Sequence, residues 1–279
     1  MNKRKKPVQA LGQGAVDPLS AAVTARDKST LDMVKEALKT KRAVLAYQPV
    51  VQALHPERPA FYEGLVRILD VTGRPIPAKD FMAEVEDTET GREIDCVTLE
   101  LGLETLAQEE DVRLSINMSA RSIGYSRWVK TLEDGLAKSP TSGERLILEI
   151  EEKSAMTTPE LVSSFMRDLQ GRGISFALDD FGAGFTSFRY LREFLFDLVK
   201  INGKFTRNVN RNVDNQVVVG ALVAVGKQFD MFTVAGSVES AKDAEFLTSI
   251  GVDCLQGFHF GAPSLSPPWK PQEGRRARI

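Results

Sequence analysis

Residues 175–185 read SFALDDFGAGF, an apolar run that stops at two adjacent aspartates and passes into a glycine-rich turn. Ser175 to Leu178 has the character of a short buried strand. Such strands favour Val, Ile, Leu and Phe, and carboxylates enter them only with partners. Successive strand side chains point to opposite faces, so Asp179 and Asp180 share one site only if the chain has begun to turn. Gly182 and Gly184 permit that turn. The plainer reading makes one aspartate the cap of the next helix, TSFRYLREFL (186–195). The rest of the chain decides between the two.

Runs of the same kind recur: AVLAYQPVV (43–51), FYEGLVRI (61–68), RLSINMS (113–119), RLILEIEE (145–152), FDLVKI (196–201), FTVAGSVE (232–239) and CLQGFHF (254–260). Between most of them lie segments with apolar residues at i, i+3, i+4 and i+7, namely 29–40, 92–109, 159–173, 214–229 and 241–251. Strands alternating with helices point to an α/β fold with a largely parallel sheet, and eight such units to a (β/α)8 TIM-type barrel. A hairpin across QALHPERPA (52–60) leaves one antiparallel strand in that barrel.

Of the 279 residues, 42% are hydrophobic and 27% charged, an ordinary globular composition. A formal net charge of -2 gives no case for nucleic-acid binding. No apolar run approaches the roughly 18 residues that span a membrane. Lys3, Arg4, Lys5 and Lys6 form a basic cluster with no continuous apolar core after it, which makes a poor signal peptide. Residues 1–28 are expected to be a disordered basic tail, 29–266 the folded domain, and 267–279 a disordered Pro-rich and basic tail. Cys96 and Cys254 have no partner at metal-binding spacing, so both are expected as buried free thiols in a reducing cytoplasm. With only His55 and His259, a Ser-His-Asp or Cys-His mechanism has little to work with.

Polar residues interrupt these strands in a pattern. Glu63 lies in the second, Asn117 ends the third, and Glu149, with Glu151 and Glu152, ends the fourth. Asp179 and Asp180 end the fifth, Lys200 the sixth and Glu239 the seventh, while Gln256 opens the turn within the eighth. In a (β/α)8 barrel the C-terminal strand ends converge on the face where active sites are built. Glu63, Asn117, Glu149, Asp179 and Asp180 are oxygen donors, with no thiolate or imidazole among them. That chemistry suits Mg²⁺ or Mn²⁺. Adjacent aspartates can serve two cations, the arrangement used for phosphodiester hydrolysis. Lys200 would orient the attacking water or neutralise phosphoryl charge, and Arg67, on the face of Glu63, would hold a phosphate.

The stretches YQPVV (47–51), YEGLVR (62–67), INMSARS (116–122), LEIEEKS (148–154), DDFGAGFTSF (179–188), DLVKING (197–203) and VDCLQGFHFGAP (252–263) occur in that order. Together the chain resembles the EAL domain family, with EGL at 63–65 in place of Glu-Ala-Leu. The resemblance implies hydrolysis of cyclic di-GMP to linear pGpG. It implies a modified barrel with an antiparallel first strand, and two Mg²⁺ or Mn²⁺ ions. Glu63, Asn117, Glu149 and Asp179 resemble the ligands of one ion, and Asp179 with Asp180 those of the second. Lys200 resembles the catalytic lysine, with Glu63 and Asp180 as further catalytic groups. Gln48, Arg67 and Gln256 resemble substrate-binding positions. Glu152 matches a glutamate that steadies the loop after Asp180, a loop tied to dimerisation, so a homodimer is implied.

The pattern breaks at two places. The family's Ala-Glu-Gly-Val-Glu appears as AGSVE (235–239), putting Gly236 where an active-site glutamate belongs, and its Lys-Ile-Asp appears as KIN, with Asn202. Two readings therefore compete. One is a cyclic di-GMP phosphodiesterase with slow turnover. The other is an impaired domain that serves as a cyclic di-GMP receptor or protein-interaction module. The intact first ligand set and Lys200 favour the enzyme.

Overall fold

The computed structural model describes residues 18–184 and 188–269, with side-chain surroundings for 29–184 and 190–269. Strand β1 (Ala43–Gln52) turns back at 53–58 into β2 (Pro59–Leu69), pairing antiparallel from Ala43 opposite Ile68 to Val51 opposite Pro59. Parallel pairing then runs through β4 (Leu114–Asn117), β5 (Leu146–Glu151), β6 (Ser175–Phe181), β7 (Leu198–Ile201), β8 (Phe232–Ala235) and β9 (Cys254–Gln256). Strand β9 closes the ring by pairing antiparallel with β1, Val50 opposite Gln256. These eight strands form a closed barrel with β1 reversed, as the hairpin reading expects. The three-residue β3 (Pro75–Pro77) sits antiparallel on the end of β2. Nothing in its short, proline-bounded sequence announces a strand.

Helices cover the outside. Those longer than a single turn are α1 (Pro18–Lys39), α2 (Glu89–Gln108), α3 (Ser126–Lys138), α4 (Pro159–Gln170), α5 (Phe188–Glu193), α6 (Val213–Gln228) and α7 (Ala241–Ser249). Their starts follow local chemistry. Thr88 accepts from the amide of Thr90 ahead of α2, Ser240 from that of Asp243 in α7, and Pro159 opens α4 where its missing N–H costs nothing. The outer strand residues Ile116, Leu148, Leu178 and Val199 pack with Leu99, Leu103, Trp128 and Met166 into the main core. Among the described residues no helix is long and apolar enough to cross a membrane.

The ends differ from the expected tails. Helix α1 starts at Pro18, inside the segment read as a tail, while residues 1–17 lie outside the described residues. At the other end Pro267 is buried, and Trp269 presents edge-to-face contacts to Tyr47 (5.1 Å) and Tyr62 (4.5 Å). An aromatic pair of this kind adds about 0.5–1.5 kcal/mol beyond its buried area. Residues 270–279 lie outside the described residues.

The barrel interior has a floor and a ring. Val50, Phe61, Ile147, Ala177, Leu198, Val234 and Cys254 pack together as an apolar floor. Two residues along each of these strands the side chain faces inward again, one level nearer the C-terminal mouth. Those positions are Gln48, Glu63, Glu149, Asp179, Lys200, Gly236 and Gln256. On β4 the matching pair is Ser115 and Asn117. The period of two thus turns a sequence pattern into a polar ring above an apolar plug.

Candidate active site

The ring is one hydrogen-bonded unit. Lys200 Nζ donates to Glu149 Oε2 at 2.6 Å and to Glu63 Oε2 at 3.0 Å, and it lies 3.8 Å from Asp179 Oδ1. Asn117 Nδ2 donates to Glu63 Oε1 at 2.9 Å. Gln256 Nε2 donates to Glu63 Oε2 at 2.5 Å and also reaches Gln48 Oε1 at 3.3 Å, while Gln48 Nε2 donates to the Gly261 carbonyl. Lys200, Glu63 and Glu149 are all buried. Burying ions is costly unless they are paired, and one ammonium here faces several carboxylates.

The electrostatics follow from that imbalance. Burial pushes Lys200 down, but Asp179, Glu149 and Glu63 outweigh it and hold the ammonium well above its usual range. Burial raises Glu63, yet Lys200 and the amides of Gln256 and Asn117 bring it below normal. Glu149 and Asp179 are pushed up, chiefly by burial, with neighbouring carboxylates adding to it. Glu149 Oε1 is buried with no hydrogen-bond partner, as is the hydroxyl of Ser115.

The adjacent aspartates are resolved by a turn. Asp179 keeps the inward register, while Asp180 has φ +57° and so leaves the strand geometry. The Asp180 carboxylate accepts from Asn202 Nδ2. Beyond it, Glu152 Oε2 accepts the amides of Gly182 and Gly184, each at 3.2 Å. Gly182 sits at φ +85°. That is a conformation for which glycine is the default residue. Glu152 therefore ties down the turn that follows Asp180.

A cavity of about 250 Å³ opens over the ring, lined by Gln48, Glu63, Asp179, Asp180, Lys200 and Gln256, with Gly236, Arg207, Glu239 and Phe258 at its edge. A larger cavity, about 670 Å³, opens at the opposite mouth between Leu54, Phe61, Leu198 and Phe232. Its two aspartates are engaged in holding backbone: Asp197 accepts from Phe176 N and Asp253 from Thr233 N. The smaller cavity holds the chemistry.

Most of the expected residues meet there. Asn117 joins through Glu63. Arg67 does not line the cavity. Its guanidinium donates to the Val66 carbonyl at 3.0 Å, a partner that strand alternation does not reveal. Glu239 lies beyond the end of β8 rather than on it, because Ser237 at φ +56° turns the chain, and it pairs with Arg207 at 3.2 Å. The sequence pattern does not point to Arg207, Ser237 or Phe258. For Phe258 the available signal is an aromatic placed just past a strand's C-terminal end. Nor does the pattern point to Asp95. It is buried on α2 and accepts from Ser119 N at 2.9 Å and Ser122 Oγ at 2.6 Å, fixing the turn after Asn117. Burial raises its carboxyl to about 7 despite those two bonds. Cys96 and Cys254 are free and buried.

Comparison with known proteins agrees with this geometry. The EAL domain family pattern matches residues 31–263. The cyclic di-GMP phosphodiesterase PdeB of Shewanella oneidensis is 30% identical over 234 residues, 82% of this chain and 27% of PdeB. The bifunctional diguanylate cyclase/cyclic di-GMP phosphodiesterase MucR of Pseudomonas aeruginosa is 29% identical, over 82% of this chain and 34% of MucR. The chain thus spans about a third of the length of these curated relatives. Among solved structures, the PaMucR phosphodiesterase in complex with c-di-GMP superposes with a TM-score of 0.77 at 28% identity, covering 85% of this chain and 97% of that one. The EAL domain of Xanthomonas citri FimX, solved with c-diGMP, gives 0.78 at 23% identity over 90% and 100%, which speaks to the fold. With a reversed β1, a polar ring in its barrel mouth and a family match from 31 to 263, the chain belongs to the EAL domain family.

Proposed function

We propose that this domain hydrolyses cyclic di-GMP to linear pGpG at the C-terminal mouth of the barrel, with slow turnover. The observation that carries the reading is the ring itself: Glu63, Asn117, Glu149, Asp179, Lys200 and Gln256 converge above an apolar floor in an EAL barrel. The relatives named as cyclic di-GMP phosphodiesterases, and the PaMucR phosphodiesterase solved with c-di-GMP, support it.

The reaction implies a divalent cation. Among the described residues no three carboxylate, imidazole or thiolate groups form a ready cage, because Lys200 Nζ stands between Glu63, Glu149 and Asp179. The donors still fit one hard ion: all are oxygens, and Glu149 Oε1 is buried without a partner. Glu63, Asn117, Glu149 and Asp179 would hold Mg²⁺ or Mn²⁺. Such an ion supplies an acidified water and charge for the phosphoryl group.

The protein's own groups do the rest. Lys200 stays an ammonium, so it acts as a fixed positive charge beside the phosphate and orients the water, not as a base. Glu63, clamped by three donors, sets the ring's geometry. Gln48 and Gln256 present amides to the ligand. Phe258 is exposed at the rim and offers a flat face to a guanine base. Arg207 stands nearer the cavity than Arg67, which serves a phosphate only after leaving the Val66 carbonyl.

Gly236 favours the competing reading, a receptor that binds cyclic di-GMP without cutting it. The assay that decides is purified protein with cyclic di-GMP and Mn²⁺ or Mg²⁺, followed for pGpG. Binding without product sustains the receptor, and no binding with metal present removes both. The two free, buried thiols suit a cytoplasmic location. A homodimer draws support from α6, whose Val213 and Val217, one turn apart, are both exposed.

A further inference from the structure

We propose that this barrel holds one divalent cation where the family pattern implies two, and that the Asn202 amide takes the second ion's place at Asp180. The inference rests on the phosphodiesterase reading above and concerns the same cavity.

The ring is uneven. Seven of its eight strands contribute a polar side chain: Gln48, Glu63, Asn117, Glu149, Asp179, Lys200 and Gln256. On β8 that place falls to Gly236. A Cβ built there would meet only the Ile201 carbonyl, at 3.6 Å, so the position is open and lacks a donor. Asp180 lines the same cavity as this gap. Its carboxylate is met by Asn202 Nδ2, and the orientation of that amide is fixed, because Asn202 Oδ1 accepts Lys204 N at 2.9 Å. Asn202 therefore presents N–H to Asp180. A cation needs oxygen there.

The remaining neighbours repeat the pattern. Glu239 lines the cavity but is paired with Arg207. The Ser237 hydroxyl packs against Gly203, where any added Cβ would collide with it. The Asp180 carboxylate is thus met by an amide donor in a cavity that Arg207 and Lys200 also line, and of the carboxylates near it Glu151 lies on the neighbouring strand, Asp179 faces Lys200 and Glu239 is taken by Arg207. Glu63, Glu149 and Asp179, with Asn117, gather on the other side, together with the unpartnered Glu149 oxygen. A hard cation asks for about six oxygen ligands. The first side supplies protein oxygens toward that number, and the Asp180 side does not fit an ion.

The test is a count. Titrating the metal-free 279-residue chain with Mn²⁺ by calorimetry should give one ion per chain, with the electron paramagnetic resonance signal of an isolated ion. The double variant N202D/G236E should bind two, with the coupled signal of ions roughly 3.5–4 Å apart. A wild-type count of two overturns this proposal and leaves hydrolysis standing. A count of zero overturns it together with metal-dependent hydrolysis. A double variant that keeps the wild-type thermal transition and still binds one ion shows that Asn202 and Gly236 are not what excludes the second, and the assignment fails. The wild-type count decides even if the variant does not fold.

Discussion

Lys200 donates to Glu149 Oε2 across 2.6 Å, while the other oxygen of the same buried carboxylate has no partner. The ammonium thus faces one half of an acid whose other half is left unpaired. Replacing it with an apolar side chain leaves Glu63 and Glu149 buried and less compensated, a change that costs about 3–5 kcal/mol in comparable pairs. Lys200→Met should abolish pGpG formation and lower the melting temperature in chelator. Mn²⁺ should stabilise this variant more than it stabilises the wild type, because the ion no longer competes with an ammonium. Equal Mn²⁺-induced shifts in the two proteins would refute this competition.

The gap at Gly236 predicts a gain of function. The backbone there is open to any residue, and the added Cβ meets no side chain. Gly236→Glu, made together with Asn202→Asp, should raise turnover roughly 10- to 1,000-fold, about 1.4–4 kcal/mol of barrier. The gain should be largest at low Mg²⁺. Superimposable curves of initial rate against Mg²⁺ would show that positions 202 and 236 do not limit the site.

Glu152 holds two amides of the turn after Asp180. Each bond to a carboxylate is worth about 1.5–3 kcal/mol. Glu152→Ala should speed amide exchange at Gly182 and Gly184 by roughly tenfold or more, since each 1.4 kcal/mol is tenfold in an opening equilibrium. It should also reduce turnover, and Glu152→Gln should recover part of both. Unchanged exchange in the alanine variant would show that the turn is held by other contacts.

Asp95 gives the stability a pH dependence. Its carboxyl titrates at about 7 in the fold. In the unfolded chain it titrates at about 3.9. Between those values the native state keeps a proton that the unfolded state has lost, so stability falls as pH rises through the window. The full cost, on the order of 4 kcal/mol, is present above about pH 7. Asp95→Asn should match the wild type near pH 4 and exceed it at pH 8 in urea denaturation. A difference that does not change with pH would contradict the burial argument.

The ring was legible because each strand announces it locally. An apolar residue followed two places on by a polar one, at the end of a β-rich run, can be read from Ile147 and Glu149 or from Leu198 and Lys200 without knowing the fold. The parts that were not legible depend on distant partners. Asp95 sits in an ordinary amphipathic helix, and its partners Ser119 and Ser122 are on another element. Arg67 has the right parity for the cavity, but a long side chain chooses its acceptor in three dimensions, and it chose a carbonyl of its own strand. The run 232–239 extends past β8 because Val238 is buried in a loop, so apolar sequence continued after ladder pairing had stopped, and the run 254–260 extends past β9 into an exposed Phe258. Trp269 reads as part of a tail until Tyr47 and Tyr62 are seen beneath it.

The reversed β1 has a consequence for how the chain is made. Its second neighbour in the barrel is β9, whose Cys254–Gln256 are the last of the barrel's strand residues to leave the ribosome. Until they emerge, the hairpin of β1 and β2 can form but one edge of β1 stays unpaired. Contacts this far apart in sequence form slowly, and an exposed edge recruits other chains. A nascent barrel stalled before residue 254 therefore carries a sticky strand at its first-made edge, and synthesis of β9 is what removes it.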